Sequence, residues 1–174
     1  MIRAIKGDIT KIDDVQAIVN AANRSLRGGG GVDGAIHRAA GPQLLEECLT
    51  LNGCHTGEAK ITRGYKLPCE YVIHTVGPRW LGGEQGEADS LKSCYQSSLE
   101  VAVDNQIKRI AFPSISTGVY GYPINEAAEV AVKTVKEYVD ANPEKLELIE
   151  WVLFDDRTFE VYKTAIDRYF SSNM

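Results

Sequence analysis

Several absences narrow the chain before anything present is weighed. No apolar run in its 174 residues approaches the roughly 18 needed for a helix to cross a bilayer. The start, Met1-Ile2-Arg3-Ala4-Ile5-Lys6-Gly7-Asp8, is too polar for a signal peptide. A cytoplasmic setting without a membrane partner is therefore expected. Cysteine is sparse, and Cys48, Cys54, Cys69 and Cys94 form neither a C-x-x-C pair nor a disulfide spacing. Free thiols in a reducing compartment are the simplest reading. Positive charge is also short: 19 Lys plus Arg stand against 24 Asp plus Glu, a net charge of −5. A chain built to grip nucleic acid usually carries a basic face, so the acidic balance counts against such a partner. It leaves small phosphates open, because backbone N–H groups can hold them without adding charge.

Missing motifs exclude more. No G-x-x-x-x-G-K-[ST] occurs, which removes the P-loop, and no G-x-S-x-G marks a serine hydrolase. No cysteine beside a helix start has a clear histidine partner. Of the three histidines, only His55 adjoins a cysteine, Cys54. Nothing around that pair has ligand spacing, so no metal is expected, and no cofactor. Neither internal repeats nor low-complexity tracts are present.

What remains is ordinary globular composition, 44% hydrophobic and 25% charged, at a length suited to one domain spanning 1–174. Short β-rich runs alternate with helical patterns. Strands are predicted at 2–6, 17–20, 70–76, 108–113 and 148–154, with a fainter one at 58–63. A helix is predicted through Ala35–Ala40, with Asp33 as its candidate cap, and another from Pro42 to about Leu51. Three more follow: residues 88–105 with Leu91, Tyr95, Leu99 and Val103 on one face, one opened by Pro123, and one from about Thr158 to Tyr169. Such alternation predicts an α/β fold with a largely parallel sheet and helices on both faces. Ligands of these sheets bind beyond the carboxyl ends of the strands.

Three post-strand loops are unusual. Asn20-Ala21-Ala22-Asn23-Arg24-Ser25-Leu26-Arg27 runs into Gly28-Gly29-Gly30-Gly31 and Val32-Asp33-Gly34. Consecutive glycines are costly in backbone entropy, and a domain tolerates them where side chains would block a ligand. Leading into a helix, they let N–H groups face a phosphate. Gly29, Gly31 and Gly34 satisfy G-x-G-x-x-G, but eight residues separate Asn20 from Gly29 and helix follows, unlike the dinucleotide fold. The second loop, Ser114-Ile115-Ser116-Thr117-Gly118-Val119-Tyr120-Gly121-Tyr122-Pro123, reads either as an ordinary βα turn or as a second wall around a diphosphate. In the third, Gly7-Asp8-Ile9-Thr10, Asp8 or Thr10 is either a helix cap or, for Asp8, a carboxylate for an exocyclic amine. Residues 82–87 read as a flexible, exposed loop.

Taken together and in order, these loops, with Ala35-Ile36-His37 and His74-Thr75-Val76-Gly77-Pro78, resemble the macrodomain family and its MacroD-type branch. The resemblance spans residue 2 to the last helix. It implies a three-layer α/β/α fold with ADP-ribose at the strand ends. It places Asp8 on the adenine amine, Ile9 beside it, and Phe154 near the ring, although Phe154 also reads as plain core. It lays Gly30-Gly31-Val32 along one side of the diphosphate and distal ribose, and Ser116, Thr117, Gly118, Val119 and Tyr120 along the other. Asn20 joins this ligand-binding set. The branch hydrolyses esters on the distal ribose, in O-acetyl-ADP-ribose and in proteins mono-ADP-ribosylated on Asp or Glu. There Asn23 would orient the ribose, and Asp33 would activate the attacking water. His37 is expected to support the site from behind, and His74 to hydrogen-bond within its loop. A non-catalytic reader of ADP-ribose, and a module for RNA or poly-ADP-ribose, are the alternatives.

Overall fold

A computed structural model describes residues 1–170 of the chain. Its elements run β1 (Ile2–Lys6), β2 (Ala17–Ala21), α1 (Gly31–Ala40), α2 (Pro42–Thr50), β3 (Ala59–Arg63), β4 (Tyr71–Thr75), α3 (Glu87–Asp104), β5 (Arg109–Phe112), α4 (Ile124–Ala141), β6 (Leu148–Leu153) and α5 (Asp156–Phe170). The strands form one six-stranded sheet in the order β1-β6-β5-β2-β4-β3. Every pairing is parallel except β3 with β4. Among the described residues, no helix is long and apolar enough to cross a membrane.

The three layers follow from alternation along the strands. In β6 all six residues are buried, as expected of a strand covered on both faces. Leu148 and Val152 pack with Ile36 and Leu44 of α1 and α2, whereas Ile149, Trp151 and Leu153 pack with residues of α3, α4 and α5. Trp151 is fully buried against Tyr95, Phe112 and Tyr162. The adjacent strands β2 and β5 send the chain to opposite faces, β2 into α1 and β5 into α4. Where neighbouring connections diverge like this, a crevice opens at the carboxyl ends.

Three local expectations change. The helix after the glycines starts at Gly31, and its N-cap is Gly30 with no side-chain cap bond. Asp33 therefore lies inside the first turn and does not cap it. No helix follows Asp8; instead its Oδ1 accepts from the Thr10 N–H at 2.9 Å and the Thr10 hydroxyl at 2.7 Å, a side-chain turn. Residues 82–86 are exposed, as the sequence suggested, but residue 87 is not. Glu87 is 2% exposed, and its carboxylate accepts N–H bonds from Leu81 (2.8 Å), Gly83 (2.9 Å) and Gln85 (2.6 Å). A carboxylate inside such a nest is held ionised: although burial opposes it, these backbone bonds bring Glu87 down to about 2.

A lowered folded pKa adds stability above the unfolded value and loses it as pH falls through the folded one. The amides of Leu81, Gly83 and Gln85 should therefore keep their hydrogen-exchange protection at neutral pH and lose it progressively between the ordinary glutamate value of 4.5 and about 2. In Glu87→Gln the same three amides should exchange faster at neutral pH, with the difference closing toward about pH 2, while protection of β6 is unchanged.

Candidate functional site

A cleft of about 700 Å³ opens at the carboxyl ends of β1, β2, β5 and β6, within the size range of small-molecule sites. Of the residues singled out from the sequence, Asp8, Ile9, Asn23, Gly30, Gly31, Val32 and Asp33 line one part of it. Ser116, Thr117, Gly118, Val119, Tyr120 and Phe154 line the rest. The exception is Asn20. It is wholly buried on β2 and outside the cleft wall, because strand alternation turns it under α1. Its amide Nδ2 donates to Asp33 Oδ1 at 2.8 Å, so it touches the carboxylate rather than a ligand.

Asp33 is the most unusual group in the cleft. It is 6% exposed, and among the described residues no lysine or arginine pairs with it: Asn20 donates to it, and the His37 Nε2 one turn further along α1 lies 3.5 Å away. Burial pushes its carboxyl above the ordinary aspartate range, while the Asn20 bond and His37 pull the other way. His37 thus lies beside Asp33, behind the cleft wall. His74 does not bond within its loop: it is fully buried in β4, facing Asn20 and Thr62.

The α1 N-terminus brings backbone polarity to the same place. Without a capping side chain, the first-turn N–H groups are available to an anion, and the helix dipole favours one. Gly31, at φ 58°, lies in the left-handed region, where glycine is the default residue. Gly29 matters by contact: a Cβ there would sit 3.3 Å from Asp33 Oδ2 and 3.5 Å from Asn23 Nδ2. The Asn23 amide is itself anchored, with Nδ2 donating to the Gly28 carbonyl and Oδ1 accepting from Ser25, both at 2.8 Å.

The opposite wall is braced from below. The Trp80 N–H donates to the Tyr120 carbonyl at 2.8 Å, and the Arg79 guanidinium lies 5.2 Å over the Tyr120 ring. Ser116 has φ 69°, uncommon for a residue with a side chain, and its hydroxyl lies against Gly77, where a Cβ would come within 2.1 Å. Val119 is 95% exposed and Phe154 83% exposed. Phe154 is therefore not core; an apolar ring held out over a cleft is a surface for a flat ligand. Near it, sequence reasoning passed over Asp155 and Thr158, which also line the cleft. Asp155 accepts from the Thr158 N–H at 2.8 Å and its hydroxyl at 3.1 Å, capping α5. Asp-Arg-Thr preceded by Asp, just before an amphipathic run, was the available signal.

Among the described residues, no group of three His, Cys, Asp or Glu is arranged to hold a metal. All four cysteines are free and buried, and burial pushes the Cys48 and Cys94 thiols up to about 11.

The site is thus an anion-receptive cleft at the crevice of a parallel α/β sheet, with a buried carboxylate at one end. Residues 19–131 match the family model of the Macro domain, and the chain belongs to that family. It is 58% identical over 166 residues to a macro domain-containing protein of Chlorobaculum tepidum, covering 95% of each chain. It is 53% identical over 167 residues to human ADP-ribose glycohydrolase MACROD2, covering 95% of this chain and 39% of that one. Among solved structures, the Trypanosoma brucei macrodomain in complex with ADP-ribose superposes with a TM-score of 0.89 at 44% identity, covering 95% of this chain and 68% of that one. The Oceanobacillus iheyensis macrodomain with ADP gives 0.90 at 44%, covering 98% and 92%.

Two glycines of the first loop should separate cleft shape from stability. A Cβ at Gly30 meets nothing within 4 Å, whereas one at Gly34 would lie 2.4 Å from the Gly29 carbonyl oxygen. Thermal melting should find Gly30→Ala within about 2 °C of wild type, and Gly34→Ala lower by about 1–3 kcal/mol of stability. A Gly34→Ala protein as stable as wild type would show that the glycine loop moves freely against α1.

Proposed function

We propose that the chain, as a single domain over 1–174, binds ADP-ribose in this cleft and hydrolyses acyl esters of its distal ribose. The observation that carries the reading is Asp33: a buried carboxylate with a raised pKa and, among the described residues, no Lys or Arg partner, beside an uncapped helix N-terminus. Structural ion pairs seldom look like this, whereas a base poised to take a proton does. A relative named as an ADP-ribose glycohydrolase and a solved neighbour in complex with ADP-ribose support it.

Roles then follow from position. The adenine lies over Phe154, with its amine toward Asp8, whose carboxyl is kept below the ordinary range by the two Thr10 bonds, and with Ile9 alongside. N–H groups of Gly30, Gly31 and Val32 face the diphosphate, and the Ser116–Tyr120 loop closes over its other side. Asn23 keeps one amide hydrogen beyond its bond to Gly28, and that hydrogen reaches for the distal ribose. Asp33 takes a proton from a water as the water oxygen bonds to the acyl carbonyl carbon. The tetrahedral intermediate then expels the ribose oxygen, which takes up a proton, leaving the free acid and ADP-ribose. General-base help of this kind is worth about 10² to 10⁴ in rate. O-Acetyl-ADP-ribose and proteins mono-ADP-ribosylated on Asp or Glu carry the required ester. A reducing cytoplasm, in which the buried thiols stay free, is the setting this reading carries.

The test is turnover of O-acetyl-ADP-ribose by the wild type beside Asn23→Ala and Asp33→Ala, with ADP-ribose affinity measured calorimetrically on all three. Asp33→Ala should lose at least about 100-fold in kcat and keep its affinity within about threefold. Tight binding without turnover, on this ester and on an ADP-ribosylated protein, would make the domain a reader. In ¹⁸O water the label should appear in acetate; label in the ribose would move the attack to the sugar carbon. Gly30→Ala, neutral to stability, should lose at least about tenfold in ADP-ribose affinity because its methyl projects toward the diphosphate.

The pH dependence has a definite sign. A base must be ionised, so kcat/KM should fall on the acid side at a pH above the ordinary aspartate value of 3.8. The raised pKa also means that ionised Asp33 opposes folding at neutral pH, a penalty removed as pH falls through the folded value. Asp33→Asn should therefore melt no lower than wild type at pH 7 while its turnover collapses. A clear loss of stability in that variant would mean the carboxylate serves the fold.

A further inference from the structure

Beneath Asp33 a line of buried polar side chains crosses three strands. Asn20 on β2 donates to Asp33 Oδ1 at 2.8 Å, and the same nitrogen lies 3.1 Å from His74 Nδ1 on β4. His74 Nε2 lies 2.9 Å from the Thr62 hydroxyl on β3. Thr62 in turn reaches the Arg63 carbonyl at 3.1 Å. Asn20 and His74 are wholly buried and Thr62 is 2% exposed. None of the three lines the cleft. An apolar core of the same shape would be cheaper than four buried polar groups, and Asn20 Oδ1 is left without a partner.

Each link dictates the proton arrangement of the next. The Arg63 carbonyl only accepts, so the Thr62 hydroxyl donates to it and its oxygen accepts from His74 Nε2–H. His74 is neutral, since burial brings it down to about 3. With its single proton on Nε2, Nδ1 is an acceptor. Asn20 must then turn its NH₂ toward His74, and the second hydrogen of that group is the one given to Asp33. The reverse amide orientation would set Asn20 Oδ1 against two acceptors at once. That orientation becomes favourable only if Asp33 is protonated and donates.

We propose that Asn20, His74 and Thr62 form a positioning relay, which offers Asp33 a donor and never an acceptor, holding Oδ1 and leaving Oδ2 on the Gly29 side for the water. They are positioning residues, since none touches the ligand. The inference rests on Asp33 acting as the base. It explains how a carboxylate that burial pushes toward protonation remains available as one. Two other groups face this assembly from the packed elements: His37 on α1, at 3.5 Å from Asp33 Oδ1 with its ring 6.5 Å from that of His74, and Cys48 on α2 at 3.8 Å from His74 Nε2.

The experiment compares wild type with Asn20→Ala, His74→Leu, Thr62→Val and Thr62→Ser. O-Acetyl-ADP-ribose hydrolysis is followed from about pH 5 to about pH 8, alongside ADP-ribose affinity and the ¹⁵N shifts of the His74 ring. Losing a hydrogen bond to an ion should cost about tenfold in rate near pH 5 and less than about threefold near pH 8 in Asn20→Ala and His74→Leu. Affinity should stay within about threefold of wild type. Thr62→Val, close in shape and remote from the cleft, should move the acid limb in the same direction, and Thr62→Ser should restore it. The wild-type ring should carry its proton on Nε2. A proton on Nδ1, or losses independent of pH and proportional to the fall in melting temperature, would overturn the relay. If Asn20→Ala does not fold, Thr62→Val and its Ser rescue decide. If the wild type turns over no ester, the hydrolase reading fails by itself. The relay is then read from the ¹³C titration of the Asp33 carboxyl, which must rise in Thr62→Val and return in Thr62→Ser.

Discussion

The bond from Asn20 to Asp33 ties the middle of the sheet to the first turn of α1. Between β2 and α1, residues 22–30, with three of the four glycines, form a loop spanned by that tether. Because β2 is central and buried on both faces, its end cannot drift. Because Ile36 and Ala40 bury α1 on the sheet, its N-terminus cannot drift either. The glycine loop is thus held at both ends while its own backbone stays bare. A bare, anchored backbone at a helix N-terminus is a ready anion site.

The tether also sets the electrostatics. Asp33 lies where apolar packing disfavours its charge, and only one neutral amide and one imidazole edge stand against that. A lysine or arginine there would make the carboxylate a spectator. On the proposed reading, the fold gives up some stability at this point to keep the group reactive, as functional sites commonly do. Asp8 shows the opposite treatment: two bonds from Thr10 keep it charged, suiting it to accept from an amine. Two aspartates in one cleft are thereby separated into a charged acceptor and a reluctant anion.

Much of this was legible in the chain. The strands at 2–6 and 148–154 were expected almost residue for residue, because their apolar patterns are short and bounded by Gly7 and Asp155. The helices ended where Gly41 and Pro42 said they should. The clustering of the glycine loop, Ser116 to Tyr120 and Phe154 around one cleft follows from strand-end placement, which the α/β pattern implies. What failed to show was depth. Phe154 and Trp151 look alike in a strand read from its letters, yet one is 83% exposed and the other fully buried. The difference is that Phe154 lies one residue past the last paired position, Leu153. Glu87 looked like one more acid in a polar loop, since nothing local announces that three backbone N–H groups will converge on it.

The sequence alone determined the class of fold, the family and the loops that line the cleft, because those depend on period, turn residues and motif order, which are local or additive along the chain. The tertiary structure decided which polar groups face one another. Asn20, Thr62 and His74 are far apart in sequence and meet only through the register of β2 against β4 and of β4 against β3. That register is a property of the assembled sheet, and it turns three separate core positions into the surroundings of Asp33.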